Sequence, residues 1–361
     1  MIRGWCPTAW RPMAAGDGLL VRVRPQLGRL TREQMLGLCD AALAWGNGQI
    51  DMTNRANLQI RGVTEHGLEP LVAKLVALGL VDPDPAREAR RAILVAPEWT
   101  VSDDTHRIAA ELERRLSELP DLPGKVGFAI DAGPAPALHA DPADFRIERG
   151  AEGGLILRAD GRESGVALPP GSEVDALIAL TKWFVATGGC DAGRMARHRA
   201  PLPGWANGSE RPAPPPAGLT AGRHDLGAAQ GLPFGRIDAE TFRASDARAI
   251  RTTPWRIVLL EGVAHASNTN VHLPTDACVG APACPQASVE TRNLATRLAP
   301  LIAGRLHVSG CAKGCARAAP ADVMLTGRGG RYDLAFDARA DATPMLSGLS
   351  ASQVLTYFGT V

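Results

Sequence analysis

Alternating hydrophobic and polar positions near the start of the chain predict two stretches of β-structure. Residues 19–24 alternate apolar and basic side chains, and residues 50–61 alternate again with their apolar side chains on one face. Between them, Thr31 and Gln34 have the spacing of a helix capping box, and apolar residues follow at helical spacing up to residues 46–48. The pattern therefore predicts the order strand, helix, strand.

A weaker copy of this pattern occurs in the second half of the chain. Residues 28–30 align with residues 235–237, and residues 53–63 align with residues 253–263. The segment that joins the aligned stretches is seven residues shorter in the second copy. We therefore predict a diverged internal duplication and not a short-period solenoid.

An α/β stretch follows each copy of the repeat. Hydrophobic spacing predicts helices at residues 103–118 and 172–187 with a short strand at residues 126–130, and a further helix at residues 288–303. Between the halves, residues 199–225 are rich in proline and also contain glycine, serine and asparagine. Such a stretch cannot propagate helix or sheet hydrogen bonds, so we interpret it as an interdomain linker. A long ordered surface loop is the alternative.

Composition and charge narrow the class of protein. The 361 residues suffice for two or three domains, and 45% hydrophobic residues allow a substantial core. A net charge of +1 removes the strongest argument for a nucleic-acid partner. The N-terminal segment lacks the apolar core of a signal peptide, and no stretch approaches the ~18 apolar residues of a membrane span. We therefore expect a cytoplasmic protein without a membrane partner.

The cysteines carry the most specific chemical signal. Of the seven in the chain, four lie in CVGAPAC (278–284) and, 26 residues later, in CAKGC (311–315). An iron–sulfur cluster needs thiolates that converge from loops with little side-chain bulk, and these loops consist mostly of glycine, alanine and proline. Cys278, Cys284, Cys311 and Cys315 are therefore predicted to bind a cluster.

Two other interpretations of these four cysteines stay open. A structural zinc ion is one, although the five residues between Cys278 and Cys284 exceed the usual spacing of about two to four. Burial as small apolar side chains is the other. The remaining cysteines, Cys6, Cys39 and Cys190, are expected to be structural, and Cys39 lies on an apolar helical face.

A row of hydrogen-bond donors is predicted at the second strand of the first copy. Side chains on a strand alternate, so residues 55, 57, 59 and 61 would share one face. That face would present Arg55, Asn57, Gln59 and Arg61 with almost no compensating acid. Guanidinium groups bind carboxylates well, so the row fits an anionic ligand. A solvated polar sheet edge is the alternative.

The CVGAPAC…SGCAKGC pattern, the stretch TNRANLQIRG and the two-fold repeat together resemble the sirohaem-dependent sulfite and nitrite reductase superfamily. The resemblance covers nearly the whole chain except the proline-rich stretch. It implies a duplicated α+β fold in which two ferredoxin-like half-domains and two α/β domains surround a tetrapyrrole cavity. The implied order is a half-domain at 1–80, an α/β domain at 81–198, a linker at 199–224, a second half-domain at 225–270 and an α/β domain with the [4Fe-4S] cysteines at 271–361.

The resemblance also implies roles for basic residues. Arg24, Arg55, Gln59 and Arg61 match the superfamily's tetrapyrrole-contacting pattern, and Arg91 occupies the position of an anion-binding arginine. Lys125 matches one of two lysines that lie two residues apart in sulfite reductases. The expected substrate-binding residues are Arg24, Arg55, Asn57, Gln59, Arg61, Arg91, Lys125 and Lys313.

Three positions depart from the reductase pattern. Ala92 replaces an asparagine that usually follows the anion-binding arginine, Gly127 stands at the place of the second lysine, and Lys313 replaces another asparagine. Reduction of sulfite or nitrite needs concentrated positive charge at the anion. The loss of a lysine therefore indicates a poorer anion reductase, and the same departures leave room for a metal-free tetrapyrrole as the substrate.

The wordings RANLQIRG and SGCAKGCAR resemble more narrowly the branch of the superfamily that oxygenates precorrin-3A in aerobic cobalamin biosynthesis. That branch implies a mono-oxygenase that hydroxylates the macrocycle with O2 and closes a γ-lactone. It also implies a [4Fe-4S] cluster, a non-haem iron and electrons that come from NADH. No G-x-G-x-x-G follows a predicted strand, so NADH is expected to act through a separate reductase.

Ligands of that iron do not stand out by spacing. His265, His272 and His307 lie in the cluster-bearing half and would be the first to test, although an isolated histidine is more often a structural residue. Two other functions stay open. One is a sulfite or nitrite reductase, which alone would bind sirohaem, and the other is an iron–sulfur redox sensor or carrier.

Overall fold

Four five-stranded sheets make up the β-structure of the described residues. The structure, a computed structural model, describes residues 7–266 and 274–359. Cys6 and His272, two of the residues discussed above, lie outside these ranges. Within them, every helix is too short or too polar to cross a membrane.

The first copy of the repeat forms strands from its alternating segments and a helix between them, as the pattern predicts. The backbone N–H of Gln34 donates to Thr31 Oγ1 at 3.2 Å, and the N–H of Thr31 donates to Gln34 Oε1 at 3.0 Å, which completes the predicted capping box. In chain order the elements are β1 (Met13–Ala15), β2 (Gly18–Val23), β3 (Arg29–Thr31), α1 (Arg32–Trp45), β4 (Gln49–Met52), β5 (Leu58–Val63) and α2 (Glu65–Ala77).

The stretch 50–61, predicted to alternate along one strand, is divided by a turn. Thr53 Oγ1 accepts the backbone N–H groups of Arg55 and Asn57 at 3.3 and 3.2 Å. A short polar side chain that bonds the following backbone favours a turn over a strand. Arg55 and Asn57 therefore lie on the turn between β4 and β5, and only the other two residues of the predicted donor row lie on β5.

The first α/β domain contains the two helices predicted at 103–118 and 172–187, each slightly shorter than expected. Its elements are α3 (Pro85–Arg90), β6 (Ile93–Val95), α4 (Asp104–Arg114), β7 (Phe128–Asp131), β8 (Phe145–Arg149), β9 (Leu155–Ala159), β10 (Val166–Leu168), α5 (Glu173–Ala186) and α6 (Gly189–Ala192). Strands β6, β7 and β8 are parallel, and β9 and β10 continue the sheet in antiparallel pairs.

The second copy of the repeat exchanges strands with the first. Its elements are β11 (Gly222–His224), β12 (Gly227–Gly231), β13 (Arg236–Asp238), α7 (Ala239–Arg243), β14 (Ala249–Thr252) and β15 (Ile257–Glu261). Strand β13 pairs with β4 of the first copy, and β3 of the first copy pairs with β14. The aligned residues 28–30 and 235–237 therefore fall at the two exchanged strands, so the duplication predicted from sequence is visible in the backbone.

The second α/β domain repeats the topology of the first. Its elements are β16 (Thr275–Ala277), α8 (Arg292–Leu298), β17 (Leu306–Ser309), β18 (Ala321–Arg328), β19 (Arg331–Ala338), β20 (Leu346–Leu349) and α9 (Ala351–Tyr357). Strands β16, β17 and β18 are parallel, and β19 and β20 are antiparallel. The helix predicted at 288–303 is shorter at both ends, and at its C-terminal end Pro300 lacks the N–H that would continue it.

The exchanged sheets share one hydrophobic core and keep the opposite face polar. Side chains from both copies belong to this core, among them Leu30, Ile50, Ile60, Ile237, Ile250 and Leu260. Side chains alternate along a strand, so Asp51 of β4 and Arg61 of β5 face away from the core. This alternation supplies the polar wall of the cavity described below.

The proline-rich stretch lies along the edge of the first α/β sheet. The N–H of Gly165 donates to Glu210 O at 2.8 Å, and the N–H of Ala213 donates to Arg149 O at the same distance. The first part of the stretch therefore makes ordered contacts. The proposed division of the chain into domains stays a prediction.

Candidate functional site

The four predicted cluster cysteines lie on two neighbouring loops. Cys278 directly follows β16, and Cys311 begins the loop just after β17. Because these strands are parallel neighbours, their carboxyl ends meet at one edge of the sheet. Cys284 and Cys315 lie further along the same two loops. All four cysteines line a single cavity of about 750 Å³.

Hydrogen bonds hold the first cysteine loop compact. The N–H of Cys284 donates to Gly280 O at 2.8 Å, and Thr291 Oγ1 donates to Cys278 O at 2.6 Å. Gly280 has φ 70°, and a Cβ there would lie 2.6 Å from Thr291 Oγ1, so glycine is needed at this turn. The N–H of Gly310 donates to Cys278 Sγ at 3.2 Å, a contact that links the two cysteine loops.

The thiols lie close enough to influence one another's ionisation. Burial raises the pKa of Cys315, Lys313 opposes the rise, and the other three cysteines add to it. Four thiolates in one cavity therefore need positive charge between them, which the irons of a cluster would supply. All four are free of disulfides, so this donor set fits a [4Fe-4S] cluster.

Gln59 and Arg61 line the same cavity as the cysteines. Arg61 is held by two acids, with Nη2 2.8 Å from Asp17 Oδ1 and Nη1 3.3 Å from Asp51 Oδ2. The expectation of almost no compensating acid is therefore wrong for Arg61. Asp51 comes from the neighbouring strand and Asp17 from the turn between β1 and β2, so the pairing depends on the folded sheet.

Arg55 and Asn57 line a second, much smaller cavity of about 20 Å³. Arg55 Nη2 donates to the backbone oxygen of Lys125 at 2.9 Å. A Cβ added to Gly127 would lie 3.8 Å from Arg55 Nη1, so this guanidinium group lies beside the position where reductases carry the second lysine. The Lys125 side chain is exposed and lines neither of the two cavities.

Arg24 and Arg91 are buried around Glu88. Their Nη1 atoms lie 3.3 and 2.8 Å from the carboxylate oxygens of Glu88, whose side chain is fully buried. Arg91 Nη2 also donates to Arg24 O at 2.9 Å. Arg24 reaches the small cavity, and neither arginine lines the large one. The structure therefore does not bring these two predicted binding residues to the cysteines.

Lys313 lies between Cys311 and Cys315 and lines the large cavity. Its side chain is exposed there, and the part of the chain that the structure describes offers it no carboxylate partner within ion-pair distance. Among the eight predicted substrate-binding residues, Lys313 joins Gln59 and Arg61 at the large cavity.

Sequence reasoning missed a set of cations from the second half of the chain. The large cavity is also lined by Arg256, Arg292, Arg305 and Arg317. Two sequence signals could have found part of this set. Arg317 follows Cys315 by two residues, and Arg256 aligns with Ala56 in the repeated turn, where both have positive φ of 58° and 54°.

No iron ligand set emerges from the histidines. In residues 7–266 and 274–359, no three His, Cys, Asp or Glu side chains, the four cysteines included, converge closely enough to hold a single metal ion. A [4Fe-4S] cluster does not need that convergence, because each of its irons binds one thiolate. His307 is buried, and the described residues offer its ring nitrogens no hydrogen-bond partner; burial lowers its pKa to about 4. His265 is exposed. Cys39 is buried as expected, whereas Cys190 is exposed and not packed.

Comparisons with known proteins agree with the duplicated fold. A family model of the nitrite/sulfite reductase ferredoxin-like half domain matches residues 11–78. Among solved structures, NirA of Mycobacterium tuberculosis is similar with a TM-score of 0.59 and 19% identity, covering 88% of this chain and 74% of that one. The chain therefore has the α+β fold of the nitrite and sulfite reductases, as the sequence resemblance implied.

Two curated relatives refine this assignment. A ferredoxin–nitrite reductase of Synechococcus elongatus is 27% identical over 42% of this chain and 32% of its own length. A precorrin-3B synthase of Sinorhizobium sp. is 32% identical over 95% of this chain and 85% of its own length. The chain belongs to the precorrin-3B synthase family.

Proposed function

We propose that the chain is an oxidoreductase of cobalamin biosynthesis that hydroxylates precorrin-3A with O2 and closes a γ-lactone on the macrocycle. The observation that carries the proposal is the large cavity, where four cysteines and several cationic side chains line one space of about 750 Å³. That volume lies in the usual range for a small-molecule site. A tetrapyrrole with carboxylates around its rim needs such a space and cations at its edge.

Arg61 and Lys313 would bind carboxylates of the substrate. Asp17 and Asp51 hold the Arg61 guanidinium group in one orientation, which lowers the entropy cost of binding a ligand there. Lys313 contributes a mobile ammonium group, which suits a carboxylate whose position varies. Phe234 and other apolar residues of the cavity wall would contact the macrocycle and exclude water.

The four cysteines would hold the [4Fe-4S] cluster through their thiolates. When bound, the cluster supplies single electrons to the cavity. The N–H of Gly310 stabilises the charge on Cys278 Sγ, and Lys313 contributes positive charge beside Cys315. The resemblance also implies a non-haem iron. The described residues contain no group of ligands that fits one, so we assign no residue to it.

The proposed reaction is a mono-oxygenation with a defined balance. One atom of O2 enters the macrocycle, and the other leaves as water after uptake of two electrons and two protons. We propose that NADH provides the electrons through a separate reductase, because the amino-acid sequence contains no G-x-G-x-x-G dinucleotide-binding motif.

A sirohaem-dependent reductase is the second candidate, favoured by the similarity to the ferredoxin–nitrite reductase. The positions that would bind a small anion argue against it. Glu88 pairs with both Arg24 and Arg91 in the interior and offsets part of their charge, and Gly127 replaces one of the two lysines. Positive charge at the reacting anion is therefore reduced, which disfavours such a reaction.

One experiment separates the two functions. The protein is purified without oxygen, its absorption spectrum is recorded, and precorrin-3A is added with O2 and an electron donor. We expect iron–sulfur cluster absorption at about 400 nm, no sirohaem bands, and an oxygenated lactone product by mass spectrometry. Sirohaem bands together with reduction of sulfite or nitrite, and no change of precorrin-3A, would establish the reductase instead.

A further inference from the structure

Asp276 of β16 lies at the wall of the large cavity and gathers three arginines around one carboxylate. Its side chain is 3% exposed. Arg256 donates to Asp276 Oδ1, Arg305 Nη1 lies 3.2 Å from Oδ2, and Arg317 Nη1 lies 3.8 Å from the same oxygen. Arg256 also donates to Thr275 O at 2.7 Å, so its guanidinium group is fixed from two sides.

The charge of this group of three arginines and one aspartate is not balanced. Three guanidinium groups face one carboxylate, which leaves two positive charges beside the cavity. The three arginine side chains are 25%, 36% and 27% exposed, and all three line the cavity. Each guanidinium carries five N–H donors, and one carboxylate cannot accept them all. The arginine group therefore has both the positive charge and the spare N–H donors to bind an anion.

The shape of the guanidinium groups favours a carboxylate as that anion. A carboxylate is planar and accepts two parallel N–H groups from a guanidinium fork. Asp276 already occupies one side of the arginine group, so an incoming carboxylate would bind the sides of the guanidinium groups that face the cavity. The cavity is large enough for the rest of a macrocyclic ligand.

We propose that Arg256, Arg305 and Arg317 form a carboxylate-binding subsite for the tetrapyrrole, with Asp276 as the residue that positions them. This subsite rests on the proposed function and extends the binding surface beyond Arg61 and Lys313. It places substrate carboxylates against the cluster-bearing half of the chain as well as against the first repeat. Asp276 acts through the arginines and does not contact the ligand.

Arg305 is the best position to test, because within the described residues its side chain pairs with Asp276. The probe is uroporphyrin III, a stable tetrapyrrole octacarboxylate, titrated into the cluster-loaded protein with fluorescence as the readout. Loss of a charged hydrogen bond predicts that Arg305→Gln weakens binding about 10-fold or more, and Arg305→Lys recovers part of the loss. Arg331→Gln is the matched control, since Arg331 is exposed on β19 and outside the cavity lining.

Asp276→Asn tests the positioning role separately. This variant makes the cavity more positive, so an effect of net charge alone predicts tighter binding. Positioning by Asp276 predicts weaker binding, with iron content and the melting temperature measured to check cluster loading and folding.

The outcomes of these titrations separate the subsite from the proposed function. If the unmodified protein does not bind uroporphyrin III, the proposed function fails and the subsite fails with it. If it binds and Arg305→Gln binds within twofold of it, the function stands and the subsite is refuted. Tighter binding by a well-folded Asp276→Asn variant overturns the positioning role of Asp276.

Discussion

Glu88 offers the sharpest test of how the anion-binding arginines are used in this chain. Its side chain is fully buried, and it pairs with Arg24 and Arg91 and accepts the N–H of Asp82 at 3.0 Å. Glu88→Gln keeps the size of the side chain and removes its charge. The amide would then present N–H groups to guanidinium donors, and two buried cations would lose their counter-ion.

The expected loss of stability follows from that geometry. Removal of one partner from a buried ion pair costs about 3–5 kcal/mol, because an uncompensated charge stays buried. For a domain of this size each kcal/mol lowers the melting temperature by roughly 2–4 °C, so we expect a decrease of about 10 °C in Glu88→Gln. Thermal unfolding of the cluster-loaded protein under argon, followed by circular dichroism, measures it.

Glu118→Gln is the matched control for this measurement. Glu118 pairs with Arg115 at 2.8 Å, but its side chain is 45% exposed. An exposed ion pair contributes little to stability because solvent screens it, so we expect a change of only a few degrees. Equal melting temperatures for Glu88→Gln and the control would refute the conclusion that Glu88 is the buried counter-ion shared by Arg24 and Arg91.

Three further predictions concern the cluster, the cavity and pH. Cys311→Ser should abolish the absorption at about 400 nm, whereas Cys190→Ser, a change at an exposed cysteine, should retain it. An unchanged iron content in Cys311→Ser would contradict the cluster site. Lys313→Gln should weaken uroporphyrin III binding about 10-fold, and unaltered affinity would exclude its proposed contact. Burial raises the pKa of Asp131 to about 7, above its unfolded value, so its contribution to stability falls as pH rises from about 4 to 7. Between pH 5 and pH 8, the free energy of unfolding of Asp131→Asn should therefore rise by about 2 kcal/mol relative to that of the parent protein. A difference in urea unfolding that does not change with pH would contradict this.

The sequence predicted best what depends on local spacing. The capping box of Thr31 and Gln34 needs only residues three positions apart, and its two hydrogen bonds are present. The duplication could be aligned because the same short turns recur in both copies. The four cysteines were predicted to converge, and they line one cavity because β16 and β17 are parallel neighbours that end at the same sheet edge.

What the sequence could not predict depends on partners distant along the chain. Arg24 and Arg91 match a binding pattern, yet Glu88 holds both in the interior. The row from Arg55 to Arg61 breaks at a turn, because Thr53 bonds the following backbone. The arginines around Asp276 come from three separate loops, one of them in the second copy of the repeat, so their convergence depends on how that copy packs against the second α/β domain.

The exchange of β3 and β13 has a consequence for how the chain can be divided. Each exchanged sheet ends in a three-residue strand contributed by the other half. A fragment cut at the proline-rich stretch would lack that strand and would expose an unpaired sheet edge, a common starting point for aggregation. Produced together, the two fragments would each supply the edge strand that the other needs. The chain is therefore better suited to reassembly from complementary pieces than to the production of either half alone.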